Sequence, residues 1–355
     1  MEDNLRSDGY LYIGIDAGIF KTSICTSDGI KFSERSVVAF SGDSIDSTEN
    51  AIYGNEVLEL SEEEMKNYTN SSLSLDNDSF KHFLTHLLEK NGIDPGKNET
   101  YAIIGVSPAA ETEYKRSLLN LCRNIFTGAM VVDDVFCIVY SKGLPEGSLV
   151  VDIGYNRTNV CVITKNVTQE VDCLSLASAG KDIDRELFKL INERWPDSRI
   201  TEELVRKWKE EHGHLVSVPD ACVVDIPFEI LDENEPEKAG EIKTTKGSIS
   251  EEIQLACEFV VTDIVSGITR VLSDSEPGMH NTLRNNIHLS GGTSRLPGIN
   301  TFIEGELREL GGGKVFLNPD PEFAVPEGAL EIAKNMPPEF WKEVLAVNCN
   351  KEMIL

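Results

Sequence analysis

The chain contains an internal repeat that predicts a strand, a turn and a returning strand. The two copies run over Asp16–Cys25 and Asp152–Cys161 and share the frame Asp-x-Gly-x-x-(Lys/Arg)-Thr-x-(Ile/Val)-Cys. An apolar run precedes each copy, Leu11–Ile15 in the first and Leu149–Val151 in the second, and such runs are typical of buried strands. A repeat at this separation predicts two similar halves that open in the same way.

The residue types in the repeat suit a turn that binds phosphate. Asp16 and Asp152 stand where a strand is predicted to end, and each is followed two positions later by a glycine, Gly18 or Gly154. Glycine lets backbone N–H groups approach an anion closely. Two such turns facing each other would hold the phosphates of one nucleotide, while the two aspartates hold its Mg²⁺.

Composition allows two domains and argues against several classes of function. The chain has 355 residues, enough for two sizeable cores, and it contains no apolar run of membrane-spanning length. Its eight cysteines are scattered without a Cys-x-x-Cys pair, which predicts buried thiols in a reducing cytoplasm and neither disulfides nor a zinc site. The net charge of −27 disfavours nucleic acid and anionic lipid as partners. We therefore expect a cytoplasmic protein that neither binds nucleic acid nor inserts into a membrane.

Strands and helices alternate in both halves, which indicates an α/β architecture. We expect a first domain over residues 1–143 with a small subdomain at about 33–78. A second domain follows over 144–325 with a small subdomain at about 185–248, and a C-terminal helical segment at 326–355 packs back on the first domain.

Apolar periodicity predicts several individual elements. A short helix is expected over Ser61–Tyr68, and a long helix over Ser250–Leu272. Ser178–Asp184 is expected to be a loop that precedes an amphipathic helix. The buried stripe of the long helix is predicted to contain Ile253, Cys257, Val260, Ile264 and Ile268.

Five motifs follow one another in a specific order along the chain. They are the Asp16 turn, Asp134 at a strand end, the Asp152 turn, Gly180-Lys-Asp, and Gly291-Gly292. The order of these motifs resembles that of the actin/Hsp70/sugar-kinase ATPase superfamily, and the resemblance extends over nearly the whole length of the chain. Within that superfamily it is most similar to bacterial actins of the magnetosome-associated MamK type, in the stretches Tyr101–Val106, Met130–Phe136, Leu149–Gly154, Lys209–His212, Ile253–Glu258 and Asn285–Gly292.

The resemblance implies an actin-like ATPase fold, with two RNase H-like domains around a nucleotide cleft, each carrying a smaller inserted subdomain. It implies that ATP and Mg²⁺ bind in the cleft and that the subunits polymerise into cytoskeletal filaments. Such filaments would organise magnetosomes or another organelle through adaptor proteins. A non-hydrolysing actin-fold scaffold is the main alternative, and a sugar-kinase-type phosphotransferase is a weaker one because no sugar-binding insertion is present.

The resemblance also implies roles for particular residues. Asp16 and Asp152 would hold Mg²⁺ through water, and Asp134 takes the place of the carboxylate that orients the attacking water. The remaining nucleotide contacts are expected from Gly18, Ile19, Phe20 and Lys21 of the first turn, Gly154, Tyr155, Asn156, Arg157 and Thr158 of the second, Gly180, Lys181 and Asp184 near the ribose, Lys209 and Glu210 beside the adenosine, and Gly291, Gly292 and Thr293 of the adenosine loop.

Two departures from the family predict slow ATP hydrolysis. Bacterial relatives usually have Gly-Thr-Thr-Asp where this chain has Asn156–Asn159, so the second turn lacks a glycine and a terminal aspartate. Asp134 is one methylene shorter than the usual glutamate, which reduces its reach toward a water molecule.

The roles of Lys21 and Arg157 can be interpreted in two ways. In the first, each residue places a cation against the β- and γ-phosphates, so that charge replaces backbone contacts. Alternatively, each lies on the outer side of its hairpin and pairs with one of the many carboxylates, because side chains alternate along a strand.

Overall fold

The computed structural model describes residues 9–41, 51–60, 68–72, 79–97, 99–163, 173–216, 222–229, 242–337 and 339–341. These residues form two compact units. Unit 1 takes the described residues of Met1–Pro145 and Glu322–Leu355, and unit 2 those of Glu146–Lys165 and Val171–Pro321.

Strands and helices are numbered in chain order. The strands are β1 (Tyr10–Ala17), β2 (Lys21–Thr26), β3 (Lys31–Arg35), β4 (Val37–Ser41), β5 (Ile52–Tyr53), β6 (Tyr68–Ser72), β7 (Glu99–Val106), β8 (Gly128–Asp133), β9 (Leu149–Ile153), β10 (Thr158–Val162), β11 (Cys173–Leu176), β12 (Val223–Glu229), β13 (Ile242–Ser248), β14 (Ile287–Ser290) and β15 (Val315–Leu317). The helices are α1 (Ser79–Lys90), α2 (Thr112–Arg123), α3 (Asp134–Lys142), α4 (Gly180–Arg194), α5 (Glu202–His212), α6 (Ser250–Asp274), α7 (His280–Arg284), α8 (Ile299–Glu306) and α9 (Ala324–Asn335), with 3-10 turns at Gly54–Glu59, Gly292–Arg295 and Leu307–Leu310.

Unit 1 is built on a five-stranded sheet in the order β3-β2-β1-β7-β8. The strands β1, β2 and β3 run antiparallel, whereas β1, β7 and β8 run parallel. Tyr12 and Ile13 of β1 point to opposite faces of the sheet and both are buried, as expected for a strand that is covered on both faces. A second sheet of this unit has the order β5-β4-β6. The helix expected over Ser61–Tyr68 lies outside the described residues except for Tyr68, which begins β6.

Unit 2 repeats the arrangement of the larger sheet of unit 1. Its strand order is β11-β10-β9-β14-β15, with an antiparallel hairpin on one side and two parallel strands on the other. The sequence repeat therefore corresponds to a repeat of sheet topology. In α6 the five residues of the predicted stripe are all buried, so that prediction is confirmed.

Helix α9 packs very closely on β1 and α3, where two glycines make the approach possible. A Cβ atom on Gly14 would lie 2.0 Å from the Pro326 carbonyl oxygen, and one on Gly328 would lie 1.9 Å from the Cys137 carbonyl oxygen. Backbone atoms cannot move aside as a flexible side chain can. These two glycines therefore fix how closely α9 lies on the sheet of unit 1.

The prediction of a loop over Ser178–Asp184 is wrong, because α4 already begins at Gly180. Ala179 precedes the helix in an extended conformation, and its N–H donates to the Asp182 carboxylate at 3.1 Å. The carboxylate occupies the position that stabilises a helix start. Gly180, Lys181 and Asp184 thus lie in the first turns of a helix.

The prediction that all cysteines are free thiols is also wrong for one pair. Cys161 of β10 and Cys173 of β11 stand directly opposite each other in the ladder and form a disulfide. The absence of a Cys-x-x-Cys pair does not exclude such a bond, since strand register can bring distant cysteines together. The free cysteines among the described residues are buried, as expected: Cys25, Cys122, Cys137, Cys222 and Cys257. None of the helices in the described parts is long and apolar enough to cross a membrane.

Candidate functional site

The turns of the two hairpins have the same length and register. In unit 1, Ala17 pairs with Thr22, so that residues 18–21 form the turn, whose last residue, Lys21, also begins β2. In unit 2, Ile153 pairs with Thr158, so that residues 154–157 form the turn. The repeated sequence therefore folds into the same backbone feature twice.

Close backbone approach explains the glycine of each turn. A Cβ atom on Gly18 would lie 2.5 Å from the carbonyl oxygen of Lys21, and one on Gly154 would lie 3.1 Å from that of Arg157. The Gly154 N–H donates to the Arg157 carbonyl at 3.0 Å, which closes the second turn. The predicted requirement for glycine at both positions thus arises from space within the turn.

A serine that the sequence did not identify holds the first turn. The Ser36 hydroxyl donates to the Gly18 carbonyl at 2.7 Å and lies 2.9 Å from the Thr22 hydroxyl. The Ser36 N–H donates to the Phe20 carbonyl at 2.9 Å. Ser36 immediately follows β3, and only the strand register brings it against the turn.

The second turn is held by the start of α4 and by the loop after β14. The Gly154 carbonyl accepts from the Gly180 N–H at 3.1 Å and from the Thr293 hydroxyl at 3.0 Å. The Tyr155 carbonyl accepts from the Lys181 N–H at 2.9 Å. Three segments that the family resemblance assigns to one nucleotide therefore meet at this turn within unit 2.

The loop after β14 also lies against Asp152. Gly291 has a φ of +78°, which favours glycine, and a Cβ atom there would lie 2.8 Å from Asp152 Oδ1 and 2.4 Å from the Ile153 carbonyl oxygen. Burial raises the pKa of the Asp152 carboxyl from 3.8 to about 6. Gly292 begins the 3-10 turn that continues this loop.

A buried cluster of charges joins α4 to α5. Lys209 Nζ lies 2.6 Å from Asp184 Oδ1 and donates to the Gly180 carbonyl at 3.1 Å. Arg206 Nε donates to Asp184 Oδ2 at 3.3 Å. Arg206 was not predicted, although it precedes Lys209 by three positions and so shares its helix face. Glu210 is exposed and lies outside this cluster.

In unit 1, Asp16 and Asp134 lie at the same edge of the sheet. Asp16 of β1 stands opposite Gly105 of β7, and Gly105 stands opposite Val132 of β8, two residues before Asp134. Asp134 is buried and begins α3. Burial, followed by the negative charges of Asp134, Asp16 and Asp133, raises the pKa of the Cys137 thiol.

The two cationic residues of the turns, Lys21 and Arg157, have different surroundings. Lys21 Nζ lies 2.8 Å from Glu322 Oε1, in agreement with the ion-pair interpretation of Lys21. Arg157 is exposed and forms no ion pair within the described residues. Ile19 is 69% exposed, whereas the Phe20 ring lies 3.8 Å from the guanidinium carbon of Arg35.

In each hairpin, taken by itself, the aspartate is of a residue type that suits a magnesium ion arriving with phosphate. Asp16 and Asp152 each occupy the last position but one of their strands, and Mg²⁺ usually binds one or two carboxylates while keeping several waters. Within the described ranges, no group of three or more His, Cys, Asp or Glu side chains could hold a metal ion.

Comparison with known proteins gives close matches over almost the entire chain. The actin-like protein MamK of Paramagnetospirillum magneticum is 29% identical over 349 residues, which cover 94% of this chain and 95% of MamK. The solved structure of a MamK double helical filament has a TM-score of 0.80 at 26% identity, covering 92% of this chain and all of that one.

Two further solved structures contain nucleotides. A non-polymerising MamK mutant bound to AMPPNP has a TM-score of 0.68 at 26% identity and covers 92% of this chain and 99% of its own. MreB5 of Spiroplasma citri bound to AMPPNP has a TM-score of 0.78 at 16% identity, over 94% of this chain and 99% of its own, a likeness of fold. The chain has the actin-like fold, and its residues 10–338 match the MreB/Mbl protein family. The chain therefore belongs to the MreB/Mbl family of bacterial actins.

Proposed function

We propose that this protein binds ATP and Mg²⁺ and polymerises into cytoskeletal filaments in the cytoplasm. The observation that carries this proposal is that the same hairpin turn occurs twice. Each time an aspartate precedes the turn, and a glycine in it allows the backbone to pass close to the carbonyl of the last turn residue. Backbone amides at such turns are suited to bind phosphate oxygens. The relatives described above support the proposal, since MamK forms a double helical filament and a MamK mutant binds AMPPNP.

Each segment of the site has a proposed role. Asp16 and Asp152 hold Mg²⁺ through water, and the amides of residues 18–21 and 154–157 hold the phosphates. Gly180, Lys181 and Asp184 bind near the ribose, and Lys209, Glu210, Gly291, Gly292 and Thr293 near the adenosine. When bound, Mg²⁺ would neutralise part of the phosphate charge.

Hydrolysis is proposed to be slow and to use Asp134. Its carboxylate accepts a hydrogen bond from the attacking water and so orients that water toward the terminal phosphate. The aspartate side chain is short for this task, and Asn156 replaces a glycine of the second turn. Filament assembly does not require rapid hydrolysis, since closure of a two-domain protein around ATP is enough to favour the assembled form.

Electron microscopy of the purified protein tests this function directly. We expect filaments after addition of ATP and Mg²⁺, and none after chelation of Mg²⁺ with EDTA. A phosphate-release assay on the same samples should detect hydrolysis that is slower than that of relatives with glutamate at the equivalent of Asp134. Protein that binds no ATP and forms no filaments in either condition would overturn the proposal.

A non-hydrolysing scaffold is the second candidate, and the altered second turn favours it. By the family resemblance, Asn156 and Arg157 stand where bacterial relatives usually have glycine and threonine. ATP binding without any phosphate release would support the scaffold. For either candidate, we propose that organelle-associated adaptor proteins are partners of this protein.

A further inference from the structure

The side chain of Tyr155 extends from the second turn to helix α5. Arg206 Nη2 donates a hydrogen bond to the Tyr155 hydroxyl oxygen at 2.8 Å. The guanidinium carbon of Arg206 lies 5.0 Å from the centre of the Tyr155 ring, and Lys209 Nζ lies 5.7 Å from it. One residue of a candidate phosphate turn is thereby fixed to a helix that lies outside the repeat.

Arg206 is itself held firmly. Its Nε donates to Asp184, and its Nη1 forms an ion pair with Glu203 one helical turn earlier. The side chains of Arg206 and Asp184 are only 9% and 4% exposed. A planar guanidinium that binds several partners loses little freedom for each bond and makes a rigid support. The Tyr155 hydroxyl is therefore attached to a fixed point of unit 2.

The contact with Arg206 is made from the middle of the second turn. Tyr155 stands between Gly154, whose Cβ position lies close to the backbone of Arg157, and Asn156. The Tyr155 carbonyl is also held, by the Lys181 N–H. Tyr155 is thus attached at both its backbone and its side chain, which fixes the direction of the amides that follow it.

We propose that Tyr155 and Arg206 are positioning residues that fix the second turn so that its amides face the phosphates of the nucleotide. The inference deepens the proposed function and rests on it. Neither side chain needs to touch the nucleotide. Unit 1 offers a comparison, because Arg35 lies over the Phe20 ring, which has no hydroxyl to accept a hydrogen bond.

Tyr155→Phe is the sharpest test, since it removes only the hydroxyl and keeps the half-buried ring. We expect the affinity for mant-ATP in the presence of Mg²⁺ to fall about tenfold, the effect of losing one hydrogen bond from a charged donor. Displacement of mant-ATP by ATP, ADP and AMP gives the specific readout. The losses should be larger for ATP and ADP than for AMP, because the turn acts on the outer phosphates.

Arg206→Gln and the double variant complete the experiment. If the two residues act as one unit, the loss in the double variant will be smaller than the product of the two single losses. Arg199→Gln is the matched control, since it also removes a cation of unit 2 that pairs with a carboxylate, Glu229, in an exposed position. We expect that control to bind mant-ATP like the wild type. Thermal melting of each variant measures any loss of folding separately.

Each outcome has a separate meaning. Wild-type protein that fails to bind mant-ATP overturns the proposed function, and the positioning role with it. Wild-type protein that binds, together with a Tyr155→Phe variant of equal affinity, overturns only the positioning role. Equal losses for ATP, ADP and AMP that follow the melting temperature would also overturn it, because they indicate a purely structural contact.

Discussion

At the scale of single residues, the environment of Asp152 sets its chemistry. The carboxyl lies against the loop after β14, and burial raises its pKa to about 6. The same residue at the same point of the hairpin in unit 1 is Asp16. The repeated position therefore predicts where a carboxylate stands, but its protonation depends on which segment covers it.

The raised pKa of Asp152 predicts a pH-dependent free energy of unfolding in the absence of nucleotide. Between pH 3.8 and about 6 the folded protein binds a proton that the unfolded chain does not, so this residue's contribution falls as pH rises through that range. A shift of this size corresponds to at most about 3 kcal/mol.

Urea denaturation at several pH values measures this contribution. The difference in unfolding free energy between wild type and Asp152→Asn should change across that range and stay constant above pH 7. Asp274→Asn, which removes an exposed carboxylate of α6 that pairs with Arg270, serves as the control and should give a smaller change with pH than Asp152→Asn. A pH-independent difference for Asp152→Asn would contradict the raised pKa.

The short side chain of Asp134 leads to a second prediction at this scale. Asp134→Glu adds one methylene and should bring the carboxylate within reach of the attacking water, which we expect to raise the rate of phosphate release about tenfold. Asp134→Ala should lower it below the wild-type rate. Asp133→Glu lengthens the neighbouring side chain, which pairs with Lys115, and should leave the rate unchanged. Equal rates for wild type and Asp134→Ala would exclude Asp134 from hydrolysis.

At the scale of elements, the contact of α9 with its neighbours depends on glycine. Gly328 faces the Cys137 carbonyl of α3 at a distance that leaves no room for a side chain. The helix brings Val325 against Gly105 of β7, where a Cβ atom would lie 2.3 Å from Val325 Cγ1. The sheet edge that carries Asp16, next to the start of α3 at Asp134, is thus packed directly beneath α9.

Gly328→Ala should destabilise unit 1 by roughly 3 kcal/mol, since the added methyl group meets a backbone carbonyl that cannot rotate away. Gly305→Ala is the matched control, because Gly305 lies in helix α8 with open space around its Cβ position. That change should leave stability equal or raise it by up to about 1 kcal/mol, the difference in helix propensity. Thermal denaturation of both variants measures these changes. Equal melting temperatures for Gly328→Ala and Gly305→Ala would contradict the close packing of α9.

How far the sequence predicts an element depends on whether the signal is local. The stripe of α6 follows from a 3.6-residue period, and all of its predicted members are buried. The start of α4 was misplaced because a run of Gly180 and polar residues suggests a loop. The start of α4 at Gly180 is stabilised by the capping carboxylate of Asp182 and by backbone hydrogen bonds to the second turn.

Contacts between distant strands could not be predicted in this way. The disulfide of Cys161 and Cys173 requires the register of β10 and β11, and the bonds of Ser36 require the register of β2 and β3. Arg206 is recognisable only once α5 is known to face α4. The repeat indicated the residues at the turns, whereas their supporting partners depend on tertiary structure.

At the scale of the whole molecule, charge governs association. The chain carries a net charge of −27, and every contact between copies must overcome that repulsion. Ions in solution shorten the range of such repulsion, to about 8 Å at 0.15 M ionic strength. Self-association of this protein should therefore depend strongly on salt.

We expect filament assembly to strengthen as salt or Mg²⁺ is added. Light scattering in the presence of ATP should rise as ionic strength approaches about 0.15 M, because screening lowers the repulsion between subunits. Mg²⁺ should act at lower concentration than K⁺ owing to its double charge. A steady fall in scattering with added salt would contradict this prediction and indicate that attractive ion pairs dominate the interface.

The two hairpins of this chain can be compared directly with each other. A single chain carries two versions of one loop, of equal length and register, with different sequences and different supports. Residues 18–21 can be exchanged for 154–157 without changing the number of residues in either sheet. Such a chimera shows how much of each loop's conformation depends on its own sequence and how much depends on the residues that contact it. A protein with a single copy of the loop does not allow this comparison.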